Sequence, residues 1–315
     1  MALMVIGSDR AQDFFETAKK LAPERDIRIW PDVGEPKDIR FALAWRPPAG
    51  VLASFPNLQV VVSVGAGVDH LLGDPQLPDV PIVRYVNPDL TGRMVEYVSL
   101  HTLLHGRRML EFQELQRQLT WKYLPEPAAH QIRVGIMGLG VLGQAAARAL
   151  GVLGYQMRGW SRTSRAIEGM ECFSGDAELD AFLNESDVLV VLLPLTPATS
   201  GILNRRLFQR LSLRGRHPRL PGPILINAGR GGLQIEADIL TSLEAGELYA
   251  ASLDVFETEP LPDTSPLWQH PRVVITPHNA AESTDESVVA YFLRQVDRAE
   301  HGESLENIVD QDAGY

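Results

Sequence analysis

Three glycines in a recognisable frame carry the first chemical signal of this chain. Residues 132–155 read I-R-V-G-I-M-G-L-G-V-L-G-Q-A-A-A-R-A-L-G-V-L-G-Y, an alternating apolar strand running into Gly138, Gly140 and Gly143 and then an Ala-rich helix. That spacing suits a dinucleotide. Gly138 permits the tight turn, Gly140 lets the backbone approach a pyrophosphate, and Gly143 lets the helix pack on the strand, so that the helix N-terminus at Val141 and Leu142 faces the phosphates. Glycine-rich turns are common, and the strand before and helix after are what favour cofactor binding over a merely structural turn.

The same frame expects an acidic residue about 20 residues further on, where it would accept both ribose hydroxyls of NAD. It is missing. After Met-Arg-Gly-Trp at 157–160 come Ser161, Arg162 and Thr163. Two hydroxyls and a guanidinium suit a 2′-phosphate, because Arg pairs with it bidentately and a carboxylate would repel it. Read as an ordinary solvated turn, Ser-Arg-Thr carries no such meaning; the absent acid selects NADP(H) over NAD(H).

Composition bounds the remaining possibilities. The 315 residues suffice for two domains, each with its own core. Lys and Arg number 29 against 40 Asp and Glu, a net charge of −11, which argues against a nucleic-acid or anionic-membrane surface while leaving room for a small anionic substrate held by local positive charge. The one cysteine, Cys172, excludes an intramolecular disulfide and a cysteine cluster for zinc, and a reducing cytoplasm fits best. Residues 1–9, apolar for only a few positions and without a basic flank, read as a first strand and not as a signal peptide. No apolar run approaches the roughly 20 residues needed to span a bilayer. His101 and His105 stand one helical turn apart, a spacing that could hold two ligands of a metal. No third ligand is evident, so a helix-surface or interface role is expected and no metal.

These residues need elements to position them. Short apolar strands alternate with helical segments, which implies parallel sheets with helices on both faces. One set is expected at 3–7, 27–30, 41–44 and 60–64. A helix over 96–114 and a loop at 121–127 lead to a second set at 133–137, 156–160, 188–193, 224–227, 250–255 and 273–276. The final helix, 286–301, is expected to return to the first set. The fold class is thus α/β, two doubly wound Rossmann-like domains: an outer substrate domain from residues 1–98 and 283–315, and a nucleotide domain, 99–282, inserted into it.

Several separated stretches together resemble the D-isomer-specific 2-hydroxyacid dehydrogenase family. They are Gly-Ala-Gly-Val-Asp at 65–69, the glycine fingerprint, Leu-Pro-Leu-Thr-Pro-Ala-Thr-Ser-Gly-Ile at 193–202, Asn-Ala-Gly-Arg-Gly at 227–231, Asp-Val-Phe-Glu-Thr-Glu-Pro at 254–260 and Thr-Pro-His at 276–278. The likeness covers nearly the whole chain in the same order. Within the family, Ala-Trp-Arg-Pro-Pro at 44–48, Trp-Ser-Arg-Thr at 160–163 and Ser-Pro-Leu-Trp-Gln-His-Pro-Arg at 265–272 are similar to the glyoxylate/hydroxypyruvate reductase A subgroup.

What the resemblance implies can be set against the chemistry required. Reducing a 2-oxo acid needs a hydride donor, a cation to hold the carboxylate and polarise the ketone, and an acid for the forming alkoxide. The resemblance makes Arg230 the cation and His278 the acid in reduction and base in oxidation, a role suited to a side chain that titrates near neutrality. Glu259 would hydrogen-bond the imidazole. Gly65, Ala66 and Gly67 would offer N–H groups to the carboxylate, and Trp45 would wall off the substrate's side chain, so that glyoxylate and hydroxypyruvate lead and pyruvate follows. Leu193, Pro194, Thr199, Ala228 and Gly229 join the cofactor site, with His278 beside it, and Asp254 would meet the nicotinamide carboxamide. The expected reaction is NADPH-dependent reduction of glyoxylate to glycolate and hydroxypyruvate to D-glycerate, in a homodimer whose two domains close around hinges near Val98 and Ala281.

Two stretches depart from the family pattern. Residues 212–223 form a longer and more basic turn than usual, expected as a surface insertion, and residues 84–93 differ from the subgroup near the substrate side. Two rival readings stay open: a nucleotide-sensing corepressor-like binding protein on the same fold, and an NAD-dependent dehydrogenase of another small acid such as formate or phosphite.

Overall fold

A computed structural model describes residues 1–7, 10–311 and 313–314. The chain divides into two compact units, Met1–Leu90 with Glu282–Tyr315, and Thr91–Ala281. The division has the discontinuous form expected, but the first crossing lies near residue 90 and not 98. The reason is packing: Met94, Tyr97 and Val98 bury their side chains in the core of the second unit, with Val134, Ile136 and Ala146.

In the first unit the described residues form a parallel sheet ordered β2-β1-β3-β4-β5. It comprises β1 (Ala2–Ile6), followed by helix α1 (Ala11–Leu21), then β2 (Asp26–Ile29), β3 (Ile39–Ala44) and β4 (Val60–Ser63), a short helix α2 (Asp69–Leu72) and β5 (Ile82–Val83). All five residues of β1 are buried, which is why it reads as an unbroken apolar run: helices and loops cover both faces of a parallel sheet.

Helix α3 (Pro88–Gly106) carries the chain into the second unit. The single helix expected over 96–114 is two, since Arg108 adopts φ 54° and α4 (Met109–Arg117) starts afresh after it. There follow β6 (Arg133–Met137), α5 (Val141–Val152), β7 (Gln156–Ser161), β8 (Met170–Ser174), α6 (Gly175–Asn184), β9 (Val188–Val191), α7 (Arg205–Phe208), β10 (Ile224–Asn227), α8 (Glu236–Ala245), β11 (Ala250–Leu253) and β12 (Val273–Ile275). Their sheet is parallel and ordered β12-β11-β10-β9-β6-β7-β8. The direction of winding reverses between β9 and β6, and the glycine fingerprint follows β6 at that reversal.

Side-chain alternation divides the core. Val134, Ile136, Val188, Val190, Ile224 and Ile226 join one apolar layer, while Met137, Leu189, Val191 and Leu225 join the other. At the opposite, N-terminal edge, Arg133 donates from Nε (3.0 Å), Nη2 (2.6 Å) and its backbone N–H (3.0 Å) to the fully buried Asp187, and Ser212 adds a hydroxyl. This contact ties the starts of β6 and β9 to the root of the 212–223 stretch. Residues 213–216 of that stretch are exposed as expected, whereas Ser212 and Leu220 are buried.

The last helix, α9 (Asp285–Glu300), belongs to the first unit, as expected, and packs on α1. Val288, Val289, Tyr291, Phe292, Gln295 and Val296 form its buried face. Thr284 caps it by accepting from the Ser287 N–H, and Arg25 pairs with Asp297 (2.6 Å) and Glu300 (2.9 Å) near its end.

Candidate active site

The fingerprint glycines differ in what demands them. Gly138 has φ 105°, and a Cβ there would lie 2.6 Å from the Leu192 carbonyl oxygen. At Gly143 a Cβ would fall 1.9 Å from the Gly138 oxygen, so the helix can meet the strand only as glycine. Gly140 is different: a Cβ there would meet nothing within 4 Å. The protein itself has no steric need of glycine at this position, as expected of a cradle shaped for a close-approaching phosphate. Gly140 also caps α5 with no side-chain bond, which leaves the first-turn N–H groups to a ligand. The residues present thus fit a dinucleotide.

At the end of β7, Ser161 is buried and donates its hydroxyl to the Thr163 carbonyl (2.8 Å), closing the turn on which the exposed Arg162 stands. A guanidinium at that place has the charge and the fork for a phosphate. After β9, Leu193 and Pro194 form a loop that Thr199 ties by donating to the Pro194 carbonyl (2.7 Å). Across it lies Gly229, where a Cβ would stand 3.0 Å from the Leu193 oxygen.

Three loops after β10, β11 and β12 carry Arg230, Glu259 and His278. Asn227 at the end of β10 organises the first: its amide accepts from the Gly229 N–H (3.1 Å), and donates to the Arg230 carbonyl (3.3 Å) and to Gln234 (2.8 Å). Gly231 is forced, since a Cβ would sit 1.7 Å from the Phe256 oxygen. Arg230 itself is extended and partly buried, with Nη1 donating to the Gly229 carbonyl (2.8 Å). Glu259 accepts the Phe256 N–H through one oxygen (3.2 Å), and its other oxygen is 2.9 Å from His278 Nδ1. An ionised carboxylate can only accept, so Nδ1 carries the proton in this pair and Nε2 is left for other work. His278 holds φ 55°, a left-handed conformation uncommon outside glycine.

Asp254 is 2 % exposed, and its carboxylate is engaged inside the protein. It accepts from the Thr276 hydroxyl (2.6 Å) and from the backbone N–H groups of Asn279 (3.0 Å) and Ala280 (3.0 Å). Sequence reasoning gave it a nicotinamide contact alone and missed this hold on the His278 turn.

In the first unit, the ring of Trp45 lies over Gly65, where a Cβ would meet it at 2.9 Å, and packs at a tilt of 55° against His70 with centroids 4.4 Å apart. Of the three N–H groups expected to meet a carboxylate, that of Gly65 is donated to Ser63 Oγ (3.3 Å). Ser63 in turn donates to the Gly67 carbonyl (3.3 Å), which fixes the 65–67 loop.

The expectation for His101 and His105 needs correcting. Both are buried, 3 % and 4 % exposed, because this face of α3 turns onto β11. Ser252 lies between them, 2.7 Å from His101 Nδ1 and 2.8 Å from His105 Nε2. Burial pushes the two imidazoles down to about 4 and about 3, with the neighbouring His101 lowering His105 further. Among the described residues no group of three or more His, Cys, Asp or Glu could hold a metal ion. Tyr97, one turn before His101, was missed altogether, although its 97-101-105 spacing marks one helix face.

Comparison with known proteins gives this geometry its setting. The family model described as "D-isomer specific 2-hydroxyacid dehydrogenase, NAD binding domain" matches residues 100–280. A glyoxylate/hydroxypyruvate reductase A from Serratia proteamaculans is 38% identical over 311 residues, covering 97% of this chain and 96% of the relative. A crystal structure of an NADPH-dependent glyoxylate/hydroxypyruvate reductase from Sinorhizobium meliloti, in complex with NADP and sulfate, is 45% identical with a TM-score of 0.93, covering 100% of this chain and 99% of that one. A probable 2-hydroxyacid dehydrogenase from Rhizobium etli, in complex with NADP, HEPES and L(+)-tartaric acid, is 42% identical with a TM-score of 0.94, covering 100% and 99%.

Proposed function

The chain belongs to the D-isomer-specific 2-hydroxyacid dehydrogenase family, and from that premise we propose that it reduces short 2-oxo acids, glyoxylate and hydroxypyruvate first, with NADPH preferred over NADH. The observation that carries the proposal is the His278–Glu259 pair, 2.9 Å apart, on loops after adjacent strands of a sheet whose fingerprint turn fits a dinucleotide. NADPH, when bound, supplies the hydride. Arg162 would hold its 2′-phosphate, standing on the turn that Ser161 closes through its bond to the Thr163 carbonyl.

Arg230 presents its fork to the substrate carboxylate and polarises the ketone oxygen, a task that a point charge on Lys performs less well. With Nδ1–H given to Glu259, His278 meets the substrate through Nε2. In reduction the doubly protonated ring gives its Nε2 proton to the forming alkoxide, and in oxidation neutral Nε2 takes it back. Within the first unit, the N–H groups of Ala66 and Gly67 would suit a carboxylate, and the Trp45 ring against Gly65 would favour a short side chain.

A homodimer is part of the proposal. Leu100 (59 % exposed), Leu119 (95 %), Trp121 (104 %) and Tyr123 (79 %) on α3 and after α4 leave apolar surface that a second copy would cover. The net charge of −11 supports neither a nucleic-acid nor a membrane partner, and no helix among the described residues is long and apolar enough to cross a membrane. We place the protein in the cytoplasm.

The test follows nicotinamide absorbance with glyoxylate, hydroxypyruvate or pyruvate, supplying NADPH and then NADH. Rapid NADPH-dependent turnover of the first two is expected, and Arg230→Ala should cost about 3 kcal/mol of transition-state stabilisation, the scale of a removed oxyanion donor. Tight NADPH binding without turnover on any short 2-oxo acid would instead mark a nucleotide-sensing protein. Full turnover by His278→Ala would overturn the proton-donor assignment.

A further inference from the structure

The face of α3 that carries residues 97, 101 and 105 makes polar contacts with the strands bearing the catalytic loops. Below Tyr97, whose ring packs at a tilt against His101 with centroids 4.1 Å apart, both histidines meet Ser252 on β11. Tyr97 itself places its hydroxyl 2.9 Å from Thr276 Oγ1, at the end of β12. Thr276 has one proton, and it is donated to Asp254 (2.6 Å). In the Tyr97–Thr276 contact the phenol is therefore the donor. Burial raises the phenol above its ordinary value, which keeps it in the donating form. A directed chain results, from Tyr97 O–H to Thr276 O–H to the Asp254 carboxylate, which also holds the N–H groups of Asn279 and Ala280.

The segment so held is the turn of His278. Its N–H is donated to the Asp254 carbonyl (2.8 Å) and to the Thr276 carbonyl (3.1 Å), and its φ is 55°. A strained, left-handed conformation persists only where the surroundings over-determine it. Asp254 and Thr276 supply that determination from the backbone side, and Tyr97 fixes the Thr276 rotamer from the helix.

We propose that Tyr97 is a positioning residue for the reaction: through Thr276 and Asp254 its hydroxyl holds the left-handed turn that aims His278 at Glu259 and the substrate. The inference rests on the reading of His278 as the proton donor. Tyr97 touches no reacting atom; it acts by keeping a proton-transfer group in register, where small displacements are costly.

Tyr97→Phe keeps the ring and removes only the O–H. In the full-length protein it should lower kcat for glyoxylate about 3- to 10-fold, the scale of one hydrogen bond, with the NADPH Kd unchanged. Backbone amide exchange should accelerate over 278–281 and stay as in the wild type over 224–227. Thr276→Val should reproduce the effect, Thr276→Ser should recover most of it, and the Tyr97→Phe/Thr276→Val double variant should be no slower than Thr276→Val alone. Wild-type kcat and wild-type exchange at 278–281 in Tyr97→Phe would overturn the proposal, as would effects that multiply in the double variant. Loss of thermal stability with kcat intact would assign Tyr97 a structural role only. Should the unaltered protein fail to reduce glyoxylate, the functional reading falls, while accelerated exchange at 278–281 in Tyr97→Phe would still support the hold on the turn.

Discussion

The contrast between Gly140 and Gly143 separates binding from folding within one turn, and two alanine substitutions expose it. At Gly143 the new Cβ would stand 1.9 Å from the Gly138 oxygen, roughly 1.5 Å inside an ordinary nonbonded separation. The oxygen is backbone and a Cβ is fixed rigidly to its own Cα, so strand and helix have to part, at a cost of about 3 kcal/mol by the scale of overpacking. For a unit of this size that lowers Tm by about 6–12 °C. At Gly140 the Cβ meets nothing, and φ is −76°, a value alanine adopts freely. Stability should hold or rise by about 0.4–1 kcal/mol, since the unfolded chain loses freedom. What Gly140→Ala should lose is NADPH: displacing one charge-assisted N–H···phosphate bond costs about 1.5–3 kcal/mol, or roughly 10- to 100-fold in Kd. Thermal melts with and without NADPH, together with a fluorescence titration, read both quantities. Wild-type NADPH affinity in Gly140→Ala would refute the reasoning that only a ligand requires this glycine, and so would a Tm drop equal to that of Gly143→Ala.

Two further outcomes follow from the same geometry. Arg162→Ala should weaken NADPH at least 10-fold more than NADH, as a lost bidentate phosphate contact demands; equal losses measured by titration would remove the phosphate assignment. His101 and His105 are held near 4 and 3 when folded but titrate near 6.5 when unfolded, so the unfolded chain binds more protons below about pH 6.5. Their contribution is fully present above that pH and is lost as pH falls towards 4 and 3, at up to ~1.4 kcal/mol per pH unit for each histidine. Urea midpoints should therefore drop between pH 6.5 and 4.5, and His105→Gln should flatten that slope by about one proton.

Most of the strands were legible because a parallel sheet buries both faces and leaves unbroken apolar runs such as 188–191 and 224–227. The two that escaped lack such runs: β5 is two residues long, and β8 lies at a sheet edge with every residue at least partly exposed. The helix expected from residue 96 begins at Pro88, since Pro suits the first position of a helix, while the Asp and Gly within 88–93 interrupt the apolar pattern that would reveal one. Within the site, glycine spacing announced the fingerprint, since steric demands leave a mark on composition. The interior duties of Asp254 and the burial of His101 and His105 leave no such mark. They depend on which face of α3 meets β11, a property of assembly that no local pattern encodes.

The strand order also separates two properties that one enzyme has to combine. The turn bearing Arg162 follows β7, whereas His278 follows β12, five strand steps away in the sheet and thus about 24 Å across it. Free-energy changes at sites that far apart add. Nucleotide preference and proton-transfer chemistry are therefore separately heritable traits in this architecture. A lineage could exchange one coenzyme pool for another by altering the β7 turn, with the catalytic loops at the far side of the sheet left as they are.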